Sequence, residues 1–310
     1  MPGRQSLLFR FPELLSVVLL LAVDMLWSAY IGIAFRDYGN ILVADAVLLA
    51  MWAFYGISGR SRRLSEMGYY GALWISFSAI GAILTYLAAY MRAPLYDTQF
   101  SELDRAIGFS WLAWFELTRA NIVLDTLLRL AYHSLIVQIL VSIILFAHAE
   151  RTSRNRELFW TAVIALVITS ALSDVFPAAG TFYHFNIELA RAVHLPHLLN
   201  LLAGTQAGFS FDDMQGIVTF PSYHAAMAII FMYVHRGQRV LFPLITALNA
   251  LMLLSTPTHG GHYLVDIIAG CIVALVSIAL LRYAVNDLSR TKASVFLSPR
   301  GIGASPTSSL

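Results

Sequence analysis

Long apolar stretches, separated by short polar segments, run along most of the chain. A helix that crosses a bilayer core about 30 Å thick needs about 20 residues at a rise of about 1.5 Å each. Eight stretches come close to that length, and they cover residues 14–35, 40–57, 71–91, 127–148, 158–176, 217–235, 239–256 and 262–285. The pattern predicts an all-α integral membrane protein with about eight transmembrane helices.

The first stretch follows Arg4 and Arg10, as the apolar part of a signal peptide would. It is too long for such a peptide, however, and it lacks a small-residue cleavage site. We therefore interpret residues 14–35 as a membrane span.

Between the third and fourth spans, apolar residues recur at helical spacing beside charged ones. They are Leu103, Ile107, Trp111, Trp114 and Phe115. This pattern is typical of a helix whose apolar face lies in the membrane interface, and tryptophan favours the depth of the headgroups. We expect the segment from 102 to 118 to form a helix along the outer surface of the bilayer.

The basic residues are distributed unequally between the two ends of the spans. Fourteen of the 20 lysines and arginines lie on the side of both termini, and six lie on the other side. Because cytoplasmic loops carry the excess of Lys and Arg, both termini are expected in the cytoplasm. The loops 92–126, 177–216 and 257–261 then face outward.

Composition agrees with this picture and excludes other classes. The chain is 58% hydrophobic and 12% charged, whereas soluble domains have about 25% charged residues. A formal net charge of +2 offers no basic surface for nucleic acid, and a single cysteine, Cys271, excludes an internal disulfide or a cysteine metal site. Nineteen of the 20 basic residues are arginine, which indicates a GC-rich genome and favours a bacterial inner membrane.

Two clusters of polar residues carry candidate chemistry. The first, Pro221-Ser222-Tyr223-His224, opens the sixth span, with Pro221 expected as the first helical residue. The free amides of Ser222 and Tyr223, the Ser222 hydroxyl and the helix dipole would form an anion site, which His224 could reach. Taken alone, this helix start favours a structural role, since a Pro-Ser start with a nearby histidine is common.

The second cluster opens the eighth span, where His262 and Asp266 are four residues apart. This spacing places them on one face of a helix. The carboxylate can accept a proton from one imidazole nitrogen and leave the other nitrogen as nucleophile or base. Because ionisable residues at membrane depth are costly and both clusters fall on one membrane face, a joint active site is favoured over two structural histidines.

In these motifs the chain resembles the type-2 phosphatidic acid phosphatase superfamily, and more closely its inositol phosphorylceramide synthase-like branch of lipid phosphotransferases. The matching residues are Pro221, Ser222 and His224 for the motif Pro-Ser-x-His, and Ser255, His262 and Asp266 for the motif Ser-Arg-x5-His-x3-Asp. The runs 262–270, 176–180 and 103–111 are similar to segments of the synthase branch. The resemblance covers roughly residues 95–285.

The resemblance implies a six-helix core, preceded in this chain by two additional helices. We therefore expect an N-terminal transmembrane hairpin at 1–65 and a phosphatase or phosphotransferase-type membrane core at 66–285. The segment 286–310 is rich in Ser, Pro and Gly, and we expect it to be a disordered cytoplasmic tail.

The resemblance also implies a mechanism. His262, oriented by Asp266, would attack phosphorus to give a phosphohistidine, while His224 would protonate the leaving alkoxide and later act as a base. Ser222 and Tyr223 would hold the phosphate oxygens. No metal or other cofactor is expected, because positioned donors face the developing charge. The partners would be a membrane lipid phosphate ester and an alcohol or lipid acceptor.

The phosphate pocket departs from the pattern of the phosphatases. Those enzymes place basic residues in the first and third motifs, whereas here the first motif has none and Thr256 stands at the Arg position of the third. Arg191 and His259 are the candidates to replace them, and the alternative for each is a solvated loop side chain. Tyr223 stands where many phosphatases have glycine, which favours the synthase branch.

Other polar residues are interpreted as structural. Asp24 and Asp45 lie within the first two spans and are expected to form hydrogen bonds between helices, and His133 is expected to pack. His194 and His197 have the spacing of metal ligands but lack a third ligand nearby in sequence.

Three functions follow as hypotheses. The first is transfer of a polar phospho-headgroup of the inositol phosphate type between a lipid and an alcohol. The second is hydrolysis of a lipid phosphate or diphosphate by the same residues, and the third is proton-coupled transport of a lipid or polyol, which would need Asp24 or Asp45. Whether an alcohol is held beside the phosphohistidine while water is excluded distinguishes transfer from hydrolysis.

Overall fold

Helices dominate the architecture, which a computed structural model describes for residues 12–90, 93–206 and 208–297. In that part of the chain the helices are α1 (Pro12–Ile31), α2 (Gly39–Ser58), α3 (Arg62–Ala89), α4 (Asp97–Ala106), α5 (Trp111–Ala120), α6 (Ile122–His133), α7 (Leu135–His148), α8 (Thr152–Val175), α9 (Thr181–Phe185), α10 (Leu195–Ala203), α11 (Tyr223–Val234), α12 (Leu241–His259) and α13 (Leu264–Leu297). Two short strands, β1 (Ala34–Arg36) and β2 (Gly208–Ser210), pair in parallel. The expected all-α membrane architecture is confirmed.

Six of the described helices are long and apolar enough to cross a membrane, namely α1, α2, α3, α8, α12 and α13. The pair α6 and α7 adds a seventh crossing if it is one span, broken by a bend of 54°. These helices make the chain a multi-pass membrane protein. They account for seven of the eight predicted spans.

The predicted span 217–235 is the exception. Only Tyr223–Val234 is helical there, a length of 12 residues or about 18 Å. Pro221 precedes this helix instead of opening it, because Ser222 has an extended backbone and caps the first turn. The short helix α11 is nevertheless central, since its residues from Ala225 to Ala228 are buried and it packs against α8, α12 and α13.

The bend between α6 and α7 falls at Ser134, which closes one helix and precedes the next. Its hydroxyl donates to the carbonyl of Ala131 at 2.7 Å and accepts from the Gln138 side chain at 2.9 Å. A side chain that takes over backbone bonding in this way is a known cause of helix bending. The bend brings the end of α6 over the region where α11 begins, as the ring contacts described below show.

The N-terminal hairpin packs on the rest of the chain through α3 and through its own loop. In the sheet, Phe35 of β1 is opposite Phe209 of β2, and their rings stack with centroids 6.2 Å apart. The edge of Tyr86 meets Phe209 at 4.8 Å. The loop of the hairpin therefore contacts the segment that leads toward α11. The predicted boundaries of the membrane core, at residues 65 and 285, stay predictions.

The segment expected to lie along the outer interface is two helices, α4 and α5, separated at Gly108, whose φ of +82° suits glycine. Trp111 is buried and donates from Nε1 to the carbonyl of Pro257 at 2.9 Å. Trp114 likewise donates to the carbonyl of Leu254 at 3.2 Å. The prediction of a single helix was wrong, because the chain turns at Gly108 and forms two helices. The position of this segment at the outer surface of the bilayer stays a prediction.

Two further expectations differ from the structure. The last helix continues to Leu297, so the tail predicted to be disordered from 286 begins as helix, and 298–310 lies outside the described residues. Asp45 accepts a hydrogen bond from Ser76 at 2.6 Å, which confirms its predicted bond between helices. Asp24 is buried but has no hydrogen-bond partner among the described residues, so the prediction for that residue was wrong.

Candidate active site

The two polar clusters meet at one cavity of about 760 Å³. The predicted site residues that line it are His224, His259, His262, Tyr223 and Arg191. Ser222 and Asp266 are fully buried and lie behind the lining residues. Residues far apart in sequence, from the ends of α11, α12 and α13, therefore form one site.

His262 lies in the short connection between α12 and α13, and Asp266 lies in the first turn of α13. Nδ1 of His262 is 3.3 Å from Oδ2 of Asp266, and the same oxygen accepts from the amide of Tyr263 at 2.9 Å. Burial lowers the pKa of His262 to about 4. A hydrogen bond to the backbone of Thr219 partly opposes this shift of the pKa. The lowered pKa favours the neutral ring, in which a proton on Nδ1 would leave the Nε2 lone pair for attack.

His224, the second residue of α11, faces an aromatic ring from α6. The rings of His224 and Tyr132 stack with centroids 4.2 Å apart and planes inclined by 10°. Tyr132 and His133 both line the cavity, and His133 is exposed at its edge. His133 is therefore not packed in the interior, although that was expected. Tyr132 orients the His224 ring by stacking on it.

The residues at the start of α11 are largely bonded within the protein. The Ser222 hydroxyl accepts from the amide of Ala225 at 3.3 Å, and the Ser222 amide donates to the carbonyl of Asp266 at 3.0 Å. The amide of Ser222 was expected to be free, and in the structure it is bonded. The hydroxyl of Tyr223 donates to the carbonyl of Ala162 at 3.2 Å, so Tyr223 presents its ring to the cavity while its polar atom bonds α8.

A glycine makes the contact between α11 and α13 possible. A Cβ atom at Gly270 would lie 2.2 Å from the carbonyl oxygen of Ser222 and 3.0 Å from Cβ of Ala225. Since backbone and a buried alanine cannot move aside without disrupting the helix, only glycine permits this approach. The close packing holds the helix that bears Asp266 against the helix that bears His224.

The two predicted cationic residues belong to one chain of alternating charges. Arg191 Nε lies 2.8 Å from Glu188, which also accepts from Arg119 at 2.6 Å. Arg119 pairs in turn with Asp125 at 3.1 Å, and Nε2 of His259 lies 3.4 Å from the same carboxylate. Arg191 and His259 thus line the cavity, and each also lies close to a carboxylate of the protein.

The family to which the chain belongs can be named from its sequence. A family profile described as the PAP2 superfamily matches residues 98–280, more than half of the chain, and this range contains every predicted site residue. The chain belongs to the PAP2 superfamily. It is therefore an enzyme of the type-2 phosphatidic acid phosphatase superfamily, with a function of the lipid phosphatase or phosphotransferase type. No curated protein and no solved structure matches the chain.

The superfamily inferred from the motifs is confirmed by this match, while the inositol phosphorylceramide synthase-like branch stays a prediction. A lipid phosphate is the substrate class that the superfamily indicates. The first three described helices lie outside the matched residues. The match begins only after α3, which the sequence analysis placed in the core, so the division into an N-terminal hairpin and a core stays a prediction.

Two buried carboxylates of α4, which the sequence analysis did not single out as functional, hold the loops of this PAP2 site. Asp97 accepts from the amides of Ala179 and Gly180 at 2.9 and 2.8 Å, and from the hydroxyl of Tyr263 at 2.9 Å. Asp97 therefore connects the segment 176–180 to the residue that follows His262.

Asp104, seven residues later and on the same face of α4, holds the helix that follows. Its two oxygens accept from the amides of Leu264 and Val265 at 2.8 and 2.9 Å, at the start of α13. Burial raises the pKa of Asp104, and the two backbone bonds oppose that rise. The seven-residue spacing of two acids on an otherwise amphipathic helix is the sequence signal that could have indicated this role.

The described residues contain no group of three or more His, Cys, Asp and Glu side chains that could hold a metal ion. His194 bonds the carbonyl of Ala179 at 3.1 Å, and His197 bonds the hydroxyl of Tyr86 at 2.6 Å. Burial lowers the pKa of His194. Chemistry without a metal or other cofactor stays an expectation.

Proposed function

We propose that the protein is a membrane lipid phosphotransferase that acts through a phosphohistidine on His262 and transfers a polar phospho-headgroup, of the inositol phosphate type, between a lipid and an alcohol. The observation that carries the proposal is the pairing of a buried His262–Asp266 dyad with His224 at one cavity. The superfamily supplies the class of reaction and substrate.

In the first step, Nε2 of His262 forms a bond to phosphorus as the bond from phosphorus to the leaving alkoxide breaks. Burial lowers the pKa of His224 to about 3 in the protein without ligand, so the proposal requires the negative charge of the bound phosphate to raise that pKa. Protonated in this complex, His224 gives its proton to the leaving alkoxide. In the second step, His224 takes the proton of an acceptor hydroxyl, the acceptor oxygen bonds to phosphorus, and the bond to His262 breaks. Asp266 keeps the His262 ring in one tautomer throughout.

The walls of the cavity suit a lipid donor and a polar acceptor. Trp74, Phe77 and Leu166 provide apolar surface for acyl chains. Gln215 and Thr219 line the same cavity and offer hydrogen-bond partners to a polyol. A cavity of about 760 Å³ lies within the usual range of about 300–1,000 Å³ for small-molecule sites, which leaves room for an acceptor alcohol beside a lipid headgroup.

We further propose that the site faces the extracytoplasmic side of a bacterial inner membrane, with both termini in the cytoplasm. The excess of basic residues on the other side of the spans supports this orientation. A lipid phosphate ester would then reach the cavity from the outer leaflet.

The proposal is tested with purified protein in lipid nanodiscs containing phosphatidylinositol and other phospholipids, with and without ceramide, diacylglycerol and free inositol. Products are followed by mass spectrometry, and the His262→Ala protein is the control. We expect a new phospho-headgroup lipid that depends on both the added alcohol and His262. Release of phosphate or phospho-headgroup irrespective of the acceptor would instead identify a hydrolase, and movement of lipid or polyol without phosphate release would identify a transporter.

A further inference from the structure

Arg129 lines the cavity from α6, one helical turn before Tyr132 and His133, which line it too. The three residues share one helix face because positions three and four apart are neighbours. Tyr132 stacks on His224 at 4.2 Å. Arg129 therefore lies one turn from the ring that orients a proposed catalytic histidine.

Among the residues that the structure describes, Arg129 has no ion pair and no hydrogen bond within the protein. The other cationic candidates differ from it in this respect. Arg191 pairs with Glu188 at 2.8 Å, and His259 lies 3.4 Å from Asp125. Arg129 is thus the arginine of the cavity wall whose charge no described carboxylate balances.

Arg129 lies on one arm of the bent helix pair α6 and α7. A charge at membrane depth is costly, and such residues are typically functional and have a partner. Because Arg129 is exposed and lines the cavity, an anionic lipid headgroup bound there could supply that partner.

A second side chain indicates independently that the cavity receives a ligand. Thr169 of α8 is fully buried, lines the cavity, and has no hydrogen-bond partner for its hydroxyl among the described residues. A threonine hydroxyl within a helix ordinarily bonds the carbonyl one turn earlier, and a buried unpaired hydroxyl costs about 1–3 kcal/mol. A phosphate oxygen at this wall would satisfy it.

We propose that Arg129 binds the phosphate of the lipid substrate and supplies the positive charge that the motifs of this chain lack. The inference rests on the proposed function, because it assumes that a lipid phosphate is the substrate. A guanidinium presents a planar set of donors that matches phosphate oxygens. Arg129 then selects anionic phospholipids, with Thr169 as a neutral donor at the same cavity.

Binding is measured separately from turnover. His262→Ala protein, which cannot form the phosphohistidine, is placed in nanodiscs of phosphatidylcholine and titrated with fluorescent phosphatidic acid, phosphatidylinositol or diacylglycerol. The variants Arg129→Gln and Arg129→Lys are compared with Arg105→Gln. Arg105 is the matched control, since its side chain is 71% exposed and lies outside this cavity.

We expect Arg129→Gln to weaken binding of at least one of the two phospholipids by roughly 10- to 100-fold, with diacylglycerol binding unchanged. Arg129→Lys should retain an intermediate affinity, because it keeps the charge but loses the planar donors. Equal affinities in Arg129→Gln and Arg105→Gln would overturn the proposal, as would equal losses for phospholipid and diacylglycerol. Turnover that persists in His262→Ala would overturn the phosphohistidine mechanism instead, whatever the binding data show.

Discussion

The residues around His262 and the residues of α6 and α8 differ in how completely the protein bonds their polar groups. Around His262, the carboxylates of Asp97, Asp104 and Asp266 all accept hydrogen bonds from neighbouring backbone amides, and among these carboxylates only Oδ1 of Asp266 is buried without a partner in the described part of the chain. On α6 and α8, Arg129 and Thr169 have no partner among the described residues. The difference teaches that bonds within the protein hold the proposed nucleophile in place, whereas the proposed phosphate-binding groups keep donors free for a ligand.

The largest effects should come from the two histidines. We expect His262→Ala and His224→Ala each to lower turnover by at least about 10³-fold, because one removes the nucleophile and the other the proton donor. Turnover is measured by product mass spectrometry after reconstitution in nanodiscs. His148→Ala is the control, since His148 is exposed at the end of α7; wild-type turnover in His262→Ala would contradict a covalent intermediate.

Asp266→Asn should act through orientation and leave residual activity. An amide cannot hold the His262 tautomer as a carboxylate does, and a small misplacement of a reacting group costs about 10²-fold. We therefore expect kcat to fall about 10²-fold with KM little changed, measured by steady-state kinetics. A rise in KM without loss of kcat would assign Asp266 to substrate binding.

Asp104→Asn should give a smaller loss. The amide keeps one acceptor oxygen for the start of α13 but loses the second, charge-assisted bond, which is worth about 1.5–3 kcal/mol. We expect kcat to fall about tenfold, with unchanged affinity for phospholipid in the binding assay. Glu102→Gln, on the exposed side of the same helix, should behave as wild type; equal losses in both variants would mean that α4 as a whole is sensitive.

The smallest effect concerns pH. Burial lowers the pKa of His262 to about 4, so its ring stays neutral from pH 7 downward and becomes protonated only as the pH approaches that value. We expect this group to change kcat/KM less than about twofold between pH 7 and pH 6. Because the proposed acid His224 also contributes to a pH–rate profile, the pKa of His262 is measured from the pH dependence of its ring resonances by NMR. A value near the ordinary histidine pKa of about 6.5 would show that the free enzyme does not bury His262 in this way.

The spans were predictable because a lipid-facing helix must be apolar along its whole length, as α1 and α2 are. The exception, 217–235, shares that apolar composition, yet Pro221 and the capping Ser222 shorten the helix to Tyr223–Val234. Apolar residues of a non-helical segment buried in protein look the same in sequence as those of a span. Burial inside the bundle therefore misled the length estimate.

The site was predictable where its geometry is local. His262 and Asp266 are four residues apart, and the helix alone brings them together. The spacing of Asp97 and Asp104 indicates only that the two acids share one helix face. Their partners Tyr263 and Leu264 lie about 160 residues away, and no periodicity encodes which residues they contact.

The two arginines that line the cavity, Arg191 and Arg129, differ in how far their pairing could be predicted from sequence. Glu188 and Arg191 are three residues apart, so their pairing could have been inferred from sequence. The lack of a described partner for Arg129 could not have been inferred from sequence, because it depends on which carboxylates the fold brings near α6.

The parallel pairing of β1 with β2 has a consequence for shortening or recombining this chain. The family match begins at residue 98, whereas β1 lies at Ala34–Arg36. A fragment reduced to the matched residues would leave β2 with an unpaired edge, which is a template for aggregation, and would release the polypeptide between β2 and α11 that lines the cavity. The matched portion thus depends on contacts with the hairpin, and replacing the hairpin would require replacing β2 as well.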